Sequence, residues 1–226
     1  MALYDSHAES YDAHAQVSPF NALYDRPALL TLLGDVAGLR VLDAGCGSGL
    51  YARELIAQGA KLTGFDASGE LLQLARQRLG ETAELRVHDL AEPLHWAEDG
   101  TYDRVLMALV LHYLPDPVPA LRELHRVLTD DGKLVLSTHH PSWDWARLEG
   151  SYFTDTMIDD EWSIGLKVRY RRRPLQTLVD EFSEAGFIVE RLVEPRPVKA
   201  MAKTHPEIYE QLTTEPGFIM FQLAKR

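Results

Sequence analysis

The chain has 226 residues, and its 34 acidic against 23 basic side chains give a formal net charge of −11, which disfavours nucleic acid and anionic membranes as partners. Cys46 is the only cysteine, so an internal disulfide and a zinc site built from four cysteines are excluded. No apolar run is long enough to span a membrane and the first ten residues lack the apolar core of a secretory signal, so we expect a cytoplasmic enzyme or binding protein.

Short apolar runs alternate with amphipathic segments over the first 140 residues. Runs such as RVLDAG and KLVLSTHH are typical of buried strands, whereas SGLYARELIAQGA and GELLQLARQRLG place apolar residues at helical spacing. In chain order, the predicted elements are a helix over 19–38, a strand over 40–45, a helix over 48–60, a strand over 61–68, a helix over 69–80, a strand over 84–90, a strand over 101–114 that finishes as a loop or helical turn, a helix over 117–132 and a strand over 133–140.

The alternation of strand and helix is typical of parallel strands joined by right-handed crossovers. We therefore predict a single α/β domain over residues 1–226, with a doubly wound, Rossmann-like, mostly parallel sheet of about seven strands. After residue 140 the pattern changes to an aromatic-rich insertion over 141–173. A helix follows, and strands over 187–194 and 216–225 are expected to pair antiparallel across a loop-like connection.

The stretch VLDAGCGSG, residues 41–49, follows the first predicted strand with three alternating glycines. Glycines let the chain turn sharply and let backbone N–H groups approach a ligand. The dinucleotide fingerprint fails when it starts at Gly45, because its third glycine falls on Leu50, but GSGLYA satisfies the G-x-G-x-x-A form. The glycines alone therefore fit a nicotinamide cofactor as well as other ligands.

Asp43, Asp66 and Asp89 each stand at the end of one of three successive predicted strands. Because the carboxyl ends of parallel strands meet at one edge of a sheet, we expect these carboxylates to converge on one rim. Asp43 would repel a pyrophosphate, whereas a ring of acids suits a ligand with positive charge and several donors. S-adenosylmethionine, with its ammonium, sulfonium, ribose hydroxyls and adenine amine, has this chemistry.

The motifs resemble those of class I S-adenosylmethionine-dependent methyltransferases, of the small-molecule type grouped with ubiquinone and menaquinone biosynthesis methyltransferases. VLDAGCGSG resembles the first motif of that family, GFDAS its ribose-binding acidic motif and VHDL its adenine-edge motif. YDRVLMALVLHYLPD and LHRVLTDDGKLVLS resemble its fourth strand and the helix, turn and strand that follow, and YDSHAESYDAH resembles its N-terminal lid. The likeness runs in order over residues 4–140, with a departure at Asp131, where the family more often has glycine.

The resemblance implies S-adenosylmethionine as cofactor, S-adenosylhomocysteine as product and a small-molecule methyl acceptor. It implies that Asp43 serves the ammonium, Asp66 the ribose hydroxyls and Asp89 the adenine amine. The residues expected to bind the cofactor are Tyr11, Tyr24, Asp43, Gly45, Gly47, Asp66, Ala67, Asp89, Leu90 and Ala108. The domain is accordingly divided into an N-terminal lid and helices over 1–38, a cofactor-binding core over 39–140, an acceptor-side insertion over 141–173 and a C-terminal helix and strand pair over 174–226.

Methyl transfer needs an aligned nucleophile and a dry site, and it needs a base only when the acceptor must lose a proton early. His112 follows the fourth strand, and His139 and His140 end the fifth at the same rim, so these three are the candidate catalytic residues. Each is also compatible with an aromatic wall or a hydrogen-bonding role. His139 and His140 should point apart, and no nearby carboxylate completes a metal-ligand set, so we expect no metal.

The aromatic insertion lies beside the expected position of the acceptor. Its rings are expected to form an apolar cover for the acceptor or, alternatively, a dimer surface or small satellite core. These rings are Trp143, Trp145, Tyr152, Phe153 and Trp162. The run RYRRR, residues 169–173, is expected to be a solvated strand edge paired with the acids at 155–161, or to supply one arginine for a substrate carboxylate.

Several functions are compatible with these features. The first is methyl transfer from S-adenosylmethionine to a small molecule. The alternatives are an NAD(P)-dependent oxidoreductase that uses GSGLYA, a non-catalytic S-adenosylmethionine-binding protein, and a tRNA-modifying methyltransferase with a basic patch at residues 169–173. A monomer and a homodimer fit the sequence equally.

Overall fold

The computed structural model describes residues 4–161 and 165–226, and a seven-stranded sheet runs through its centre. The strands are β1 (Arg40–Ala44), β2 (Lys61–Asp66), β3 (Ala83–Val87), β4 (Tyr102–Ala108), β5 (Leu128–His139), β6 (Thr156–Glu161), β7 (Lys167–Arg172), β8 (Phe187–Val193) and β9 (Phe218–Lys225). The α-helices are α1 (Ala8–Val17), α2 (Arg26–Leu33), α3 (Leu50–Ala57), α4 (Gly69–Leu79), α5 (Val118–Val127), α6 (Pro141–Arg147), α7 (Leu175–Glu184), α8 (Met201–Thr204) and α9 (Pro206–Thr214).

The strand order in the large sheet is β3-β2-β1-β4-β5-β9-β8. Strands β1 to β5 pair in parallel, and β9 pairs antiparallel with both β5 and β8. The predicted doubly wound, Rossmann-like and mostly parallel sheet, with an antiparallel last strand, is therefore confirmed. Strands β6 and β7 form a separate antiparallel hairpin within the insertion.

Helices cover both faces of the large sheet, which explains why its central strands read as continuous apolar runs. Leu42 on β1 packs into the cluster that contains Leu124 of α5 and Phe182 of α7. Its neighbour Val41 packs into the opposite cluster, with Leu29 of α2. Successive side chains of a strand point to opposite faces, so a strand covered on both sides needs an apolar residue at every position.

The start of β5 and the connection before β9 differ from the prediction, and the strand predicted over 84–90 ends at Val87, two residues before Asp89. β5 begins at Leu128 rather than at residue 133, because Leu128 already pairs with Tyr102, and residues 129–132 bulge out before Lys133 resumes the ladder opposite Arg104. The connection predicted as a loop between the last two strands is wrong, since it contains α8 and α9. Proline at the start of α9 is a helix signal that the sequence offered.

The hairpin corrects part of the prediction for residues 169–173. Arg169 and Arg171 pair with acids at 155–161 as predicted. Arg173, however, is buried and forms a salt bridge with Glu181 at 2.7 Å. Arg172 is also buried and donates to backbone carbonyls. Alternate residues of β7 face inward, so a run of arginines at a strand end is divided between solvent and interior.

The aromatic residues of the insertion do not act as one cover. Trp143 packs against the cluster around Tyr24, whereas Trp145 is 50% and Phe153 is 77% exposed. Tyr152 accepts a hydrogen bond from the backbone of the α7 N-terminus. Trp162 lies outside the described residues. Within residues 4–161 and 165–226, no helix has both the length and the apolar character that crossing a bilayer requires.

Candidate functional site

The glycine loop between β1 and α3 has a conformation that needs glycine. Gly45, Gly47 and Gly49 all have positive φ, at 77°, 53° and 79°. A Cβ on Gly45 would lie 2.5 Å from Val110, while one on Gly47 would meet nothing within 4 Å. The backbone N–H of Gly45 donates to the carbonyl of Phe65 at 2.8 Å, so the loop is fixed to the tip of β2. The loop therefore presents open backbone to the space beside it.

A cavity of about 850 Å³ opens beside this loop, at the carboxyl ends of the central strands. We call it the glycine cavity. The residues that were predicted to bind the cofactor and that line this cavity are Tyr11, Gly45, Gly47, Asp66, Ala67, Asp89, Leu90 and Ala108. Strand tips on one edge of a parallel sheet thus bring together residues that are far apart in sequence.

Asp66 fixes the geometry of the glycine cavity. Its two carboxylate oxygens accept hydrogen bonds from the backbone N–H groups of Gly47 and Ser68, each at 2.8 Å. Burial raises the pKa of Asp66, and these two hydrogen bonds act in the opposite direction. Each oxygen keeps a second lone pair, so the carboxylate can also accept hydroxyl groups from a ligand.

A small recess of about 60 Å³ adjoins the glycine loop and contains Asp43 and Arg26. Asp43 is only 1% exposed, and its Oδ2 has no hydrogen-bond partner in the described chain. Burial, and then the charge of Asp66, raise the pKa of Asp43 to about 7. The Nε of Arg26 is likewise buried without a partner there. The recess thus offers one unpaired acid and one unpaired N–H donor.

Arg26 was missed by the sequence analysis, and Tyr24 was assigned wrongly. Tyr24 is fully buried, packs on Phe218 with ring centroids 5.6 Å apart and accepts a hydrogen bond from the backbone N–H of Gly217. It lines neither the glycine cavity nor the recess. The prediction that Tyr24 binds the cofactor is corrected, because this side chain belongs to the core. Arg26, two residues later on the helix, faces the recess instead.

Three tyrosines cover the glycine cavity. Tyr4 donates a hydrogen bond to the hydroxyl of Tyr113 at 2.7 Å, and its ring centroid lies 4.6 Å from that of Tyr11. Burial raises the pKa of all three, to about 12 for Tyr11, so the hydroxyls are neutral. The sequence indicated Tyr11 but not Tyr4 or Tyr113. Tyr4 belongs to the same lid motif, YDSHAESYDAH, which was the available signal.

Asp12 joins this lid to the glycine loop. It accepts two hydrogen bonds from Arg78 Nη2, at 2.9 and 3.0 Å, and one from Ser48 Oγ at 2.5 Å. Arg78 also donates to the backbone carbonyl of Ser48. Asp12 lies on α1, Ser48 in the loop and Arg78 on α4, so one buried carboxylate connects three elements around the cavity.

We expect Asp12→Ala to increase the dissociation rate of S-adenosylhomocysteine by about tenfold, because the lid loses charge-assisted hydrogen bonds that hold it closed. Stopped-flow displacement, followed by tryptophan fluorescence, measures this rate. The control is Glu9→Ala, which removes an exposed acid from the same helix. A dissociation rate equal to that of the Glu9 variant would contradict this role of Asp12.

A second cavity of about 690 Å³ lies on the other side of the tyrosines, and we call it the histidine cavity. His112 and His139 stack in its wall with ring centroids 4.1 Å apart and an interplanar angle of 19°. Burial lowers the pKa of His112 well below its usual value, so this ring is neutral at pH 7. Its Nδ1 lies 3.3 Å from the hydroxyl of Thr138.

His140 points away from this cavity, as expected for a residue adjacent to His139 on a strand. Its Nδ1 accepts a hydrogen bond from the backbone N–H of Ser142 and caps α6, while its Nε2 lies 3.1 Å from Glu194. It lines neither large cavity. The structure therefore corrects its assignment as a candidate catalytic residue: His140 has a structural role at the start of a helix.

Leu109 connects the two cavities and has an unusual backbone. Its φ is +56°, a conformation that no other described residue apart from glycines adopts. Its N–H donates to both the carbonyl and the hydroxyl of Ser137, at 3.1 and 3.2 Å, which holds this conformation in place. Leu109 lines both cavities together with Tyr4, Tyr11 and Tyr113. The two cavities thus share one wall.

Comparisons with known proteins agree with this architecture. Residues 42–136 match a family described as a methyltransferase domain. A ubiquinone biosynthesis O-methyltransferase of Xanthomonas oryzae pv. oryzae (strain PXO99A) is 36% identical over 134 residues, which cover 57% of this chain and 55% of that protein. The chain therefore matches only about half the length of that relative.

Solved structures extend the likeness over most of the chain. An S-adenosylmethionine-dependent methyltransferase from Mesorhizobium loti has a TM-score of 0.78 and 27% identity, over 94% of this chain and 100% of that one. A 1,6-didemethyltoxoflavin-N1-methyltransferase from Burkholderia thailandensis, solved with 1,6-didemethyltoxoflavin and S-adenosylhomocysteine, has a TM-score of 0.63 and 19% identity, over 97% and 84% of the two chains. At this lower identity the likeness concerns the fold alone.

The fold, the motifs in order and these relatives define one class of protein. The domain match, the relative and the solved structure all support the predicted likeness to class I S-adenosylmethionine-dependent methyltransferases. The predicted family and its cofactor, S-adenosylmethionine, are confirmed, and the interpretation of GSGLYA as a nicotinamide-binding motif is set aside. The roles of the individual site residues stay predictions.

Proposed function

We propose that the protein transfers the methyl group of S-adenosylmethionine to a small-molecule acceptor held in the histidine cavity. The observation that carries this proposal is the shared wall of Tyr4, Tyr11, Leu109 and Tyr113 between the two cavities. One side of the wall has the glycine loop and acids of a cofactor site, and the other has histidines and aromatic rings. Two ligands bound on either side would meet at that wall.

The residues around the glycine cavity suit this cofactor. Asp43, whose Oδ2 has no partner, would bind the ammonium of the methionine part, and Arg26 would bind its carboxylate. Arg26 Nη2 already donates to the carbonyl of Ala15 at 3.0 Å, so its unpartnered Nε is the donor left for this contact. Asp66 would accept the ribose hydroxyls, and Asp89 with the backbone of Leu90 would contact the adenine amine. An acid buried beside the loop would repel the pyrophosphate of a dinucleotide.

S-adenosylmethionine, when bound, supplies a methyl group activated by its positively charged sulfur. The protein then has to position the acceptor, exclude water and manage a proton. The neutral tyrosine hydroxyls and the lid close the site from one side. The neutral His112 carries a proton on only one of its two nitrogens, and its lowered pKa makes it a weak base, so it suits an acceptor that gives up its proton late in the reaction.

Calorimetry with S-adenosylhomocysteine and with NAD, followed by a tritium-transfer assay from labelled S-adenosylmethionine to a panel of small molecules, tests the proposal. We expect S-adenosylhomocysteine to bind and NAD not to bind, and at least one small molecule to become labelled. Binding without transfer to any acceptor would favour a non-catalytic S-adenosylmethionine-binding protein, and labelling of bulk tRNA would favour a tRNA-modifying enzyme.

The variant His112→Phe distinguishes a role of His112 in methyl transfer from a role in cofactor binding. This variant keeps a ring against His139 but removes the imidazole nitrogens from the histidine cavity. We expect methyl transfer to fall by about tenfold or more while the affinity for S-adenosylhomocysteine stays within about twofold of the wild type. Turnover is measured by tritium transfer and affinity by calorimetry. A larger loss of affinity than of turnover would make His112 a cofactor-binding residue.

A further inference from the structure

The histidine cavity contains a buried carboxylate that methyl transfer does not explain. The side chain of Asp144, on α6, is only 6% exposed and lines the cavity. Its Oδ1 lies 3.6 Å from His139 Nδ1, which is too long for a hydrogen bond. Over residues 4–161 and 165–226, the polar contact of this carboxylate is that 3.6 Å approach to His139. His139 Nδ1 is itself buried without a hydrogen bond. A buried carboxylate in this state is costly unless a ligand compensates it.

Aromatic rings surround the space that Asp144 faces. His139 stands edge-on to Tyr170, with ring centroids 4.8 Å apart at 73°, and lies nearly parallel to Phe218 at 6.1 Å. Phe218 continues toward Phe20 and Trp143 on the same wall. The faces of aromatic rings carry negative charge density and attract organic cations, especially where water is excluded.

The charges at this end of the cavity are negative. Burial raises the pKa of Tyr170, and the charges of Asp144 and Asp160 raise it further. The charge of Arg172 acts in the opposite direction, but this guanidinium is buried and donates to backbone carbonyls. Arg147 is the cation on the wall, and it is already engaged, since its guanidinium lies 3.2 Å over the ring of Trp143 and pairs with Glu215 at 2.8 Å. An anionic ligand would therefore find carboxylates and no free cationic partner among the described wall residues.

We propose that the histidine cavity recognises its acceptor by a protonated amino group, with the ammonium on Asp144 and the apolar or aromatic body of the molecule between His139, Tyr170 and Phe218. This assignment rests on the proposed function, because it names the class of acceptor for the same cavity. The amino group is a recognition element, and the methyl group goes to another atom, since an ammonium has no lone pair.

Three probes that share a hydroxyphenyl ring and differ in one group test this assignment: tyramine with an ammonium, tyrosol with a hydroxyl and 4-hydroxyphenylacetate with a carboxylate. Each is titrated calorimetrically into protein saturated with S-adenosylhomocysteine. We expect tyramine to bind about tenfold or more tightly than tyrosol, and 4-hydroxyphenylacetate to bind more weakly than both.

Asp144→Asn should remove most of the preference, lowering the affinity for tyramine about tenfold and that for tyrosol less than about twofold. Asp180→Asn is the matched control, because Asp180 is exposed on α7 and lines neither cavity. It makes the same change in net charge and should keep the preference. An unchanged affinity for S-adenosylhomocysteine shows that the Asp144 variant is folded, and if the variant does not fold, the wild-type comparison of tyramine with tyrosol decides.

Equal affinities for tyramine and tyrosol, binding of none of the three probes, or a full preference in Asp144→Asn would each overturn the assignment. Failure of the wild type to bind S-adenosylhomocysteine would instead overturn the proposed function. The two failures are distinguishable, because the titration with S-adenosylhomocysteine is done without any probe and measures the cofactor site alone.

Discussion

Asp66→Asn is expected to weaken the binding of S-adenosylhomocysteine by about 100-fold, which corresponds to about 3 kcal/mol. In the wild type both carboxylate oxygens are already used, one by the N–H of Gly47 and the other by the N–H of Ser68. An asparagine keeps one acceptor and replaces the other with a donor, so one of these N–H groups faces another N–H. The ribose hydroxyls lose an acceptor in the same substitution, and the open face of the glycine loop loses its fixed position.

Calorimetry at pH 7.5 measures this loss of affinity, with Glu70→Gln as the control. Glu70 is an exposed acid in the first turn of α4, four residues after Asp66, and it lines neither cavity. Its variant should bind S-adenosylhomocysteine like the wild type. If Asp66→Asn bound within threefold of the wild type, Asp66 would not be the ribose-binding residue.

The sequence predicted the part of the site that lies on parallel strands. Strand periodicity and the order of the motifs place Asp43, Asp66 and Asp89 at neighbouring strand tips, and the topology then has only one edge on which they can meet. Gly45, Gly47 and Gly49 adopt positive φ, which agrees with the sharp turn that their spacing predicted. These are local rules that act over a few residues, and they survive tertiary packing.

The parts of the site outside the sheet were harder to predict, because their side chains are placed by long-range packing. The helical period over residues 19–38 does not say whether Tyr24 or Arg26 faces the loop, and a π-helical turn at Asn21–Asp25 shifts the faces before α2 begins. Asp144 lies in the aromatic insertion, where no regular pattern exists. The alternation of His139 and His140 was predictable, but which of them faces the cavity depends on the strand's pairing with β9.

Asp43→Asn is expected to stabilise the ligand-free protein at pH 8 by about 4 kcal/mol. The pKa of Asp43 is about 7 in the folded protein against an ordinary value of 3.8, because burial disfavours the charged form. The folded state then binds a proton more tightly than the unfolded state. The stability that this proton provides is complete below about pH 4 and is lost as the pH rises through 7. Asparagine is neutral at every pH and avoids that loss.

Urea denaturation at pH 5 and at pH 8 gives the free energy of unfolding at each pH. We expect this free energy to decrease less from pH 5 to pH 8 in the variant than in the wild type. Asp25 also makes the free energy of unfolding depend on pH, because burial raises its pKa to about 6. This dependence is common to the wild type and the variant, and in both of them the stability that Asp25 provides falls as the pH rises. A pH dependence identical to that of the wild type would show that Asp43 is already ionised in the folded state.

The same proton should couple stability to cofactor binding. An ammonium beside Asp43 favours the ionised carboxylate, so the affinity of the wild type for S-adenosylhomocysteine should rise by about tenfold between pH 6 and pH 8, with release of a proton. In Asp43→Asn the affinity should be weaker at pH 8, and this part of its pH dependence should be absent. An acid that destabilises the empty protein and strengthens binding is placed for a ligand, because a purely structural carboxylate in the same position would be paired or replaced. If the variant bound as tightly as the wild type at pH 8, the ammonium would have to sit elsewhere, and the recess of Asp43 and Arg26 would lose its assignment.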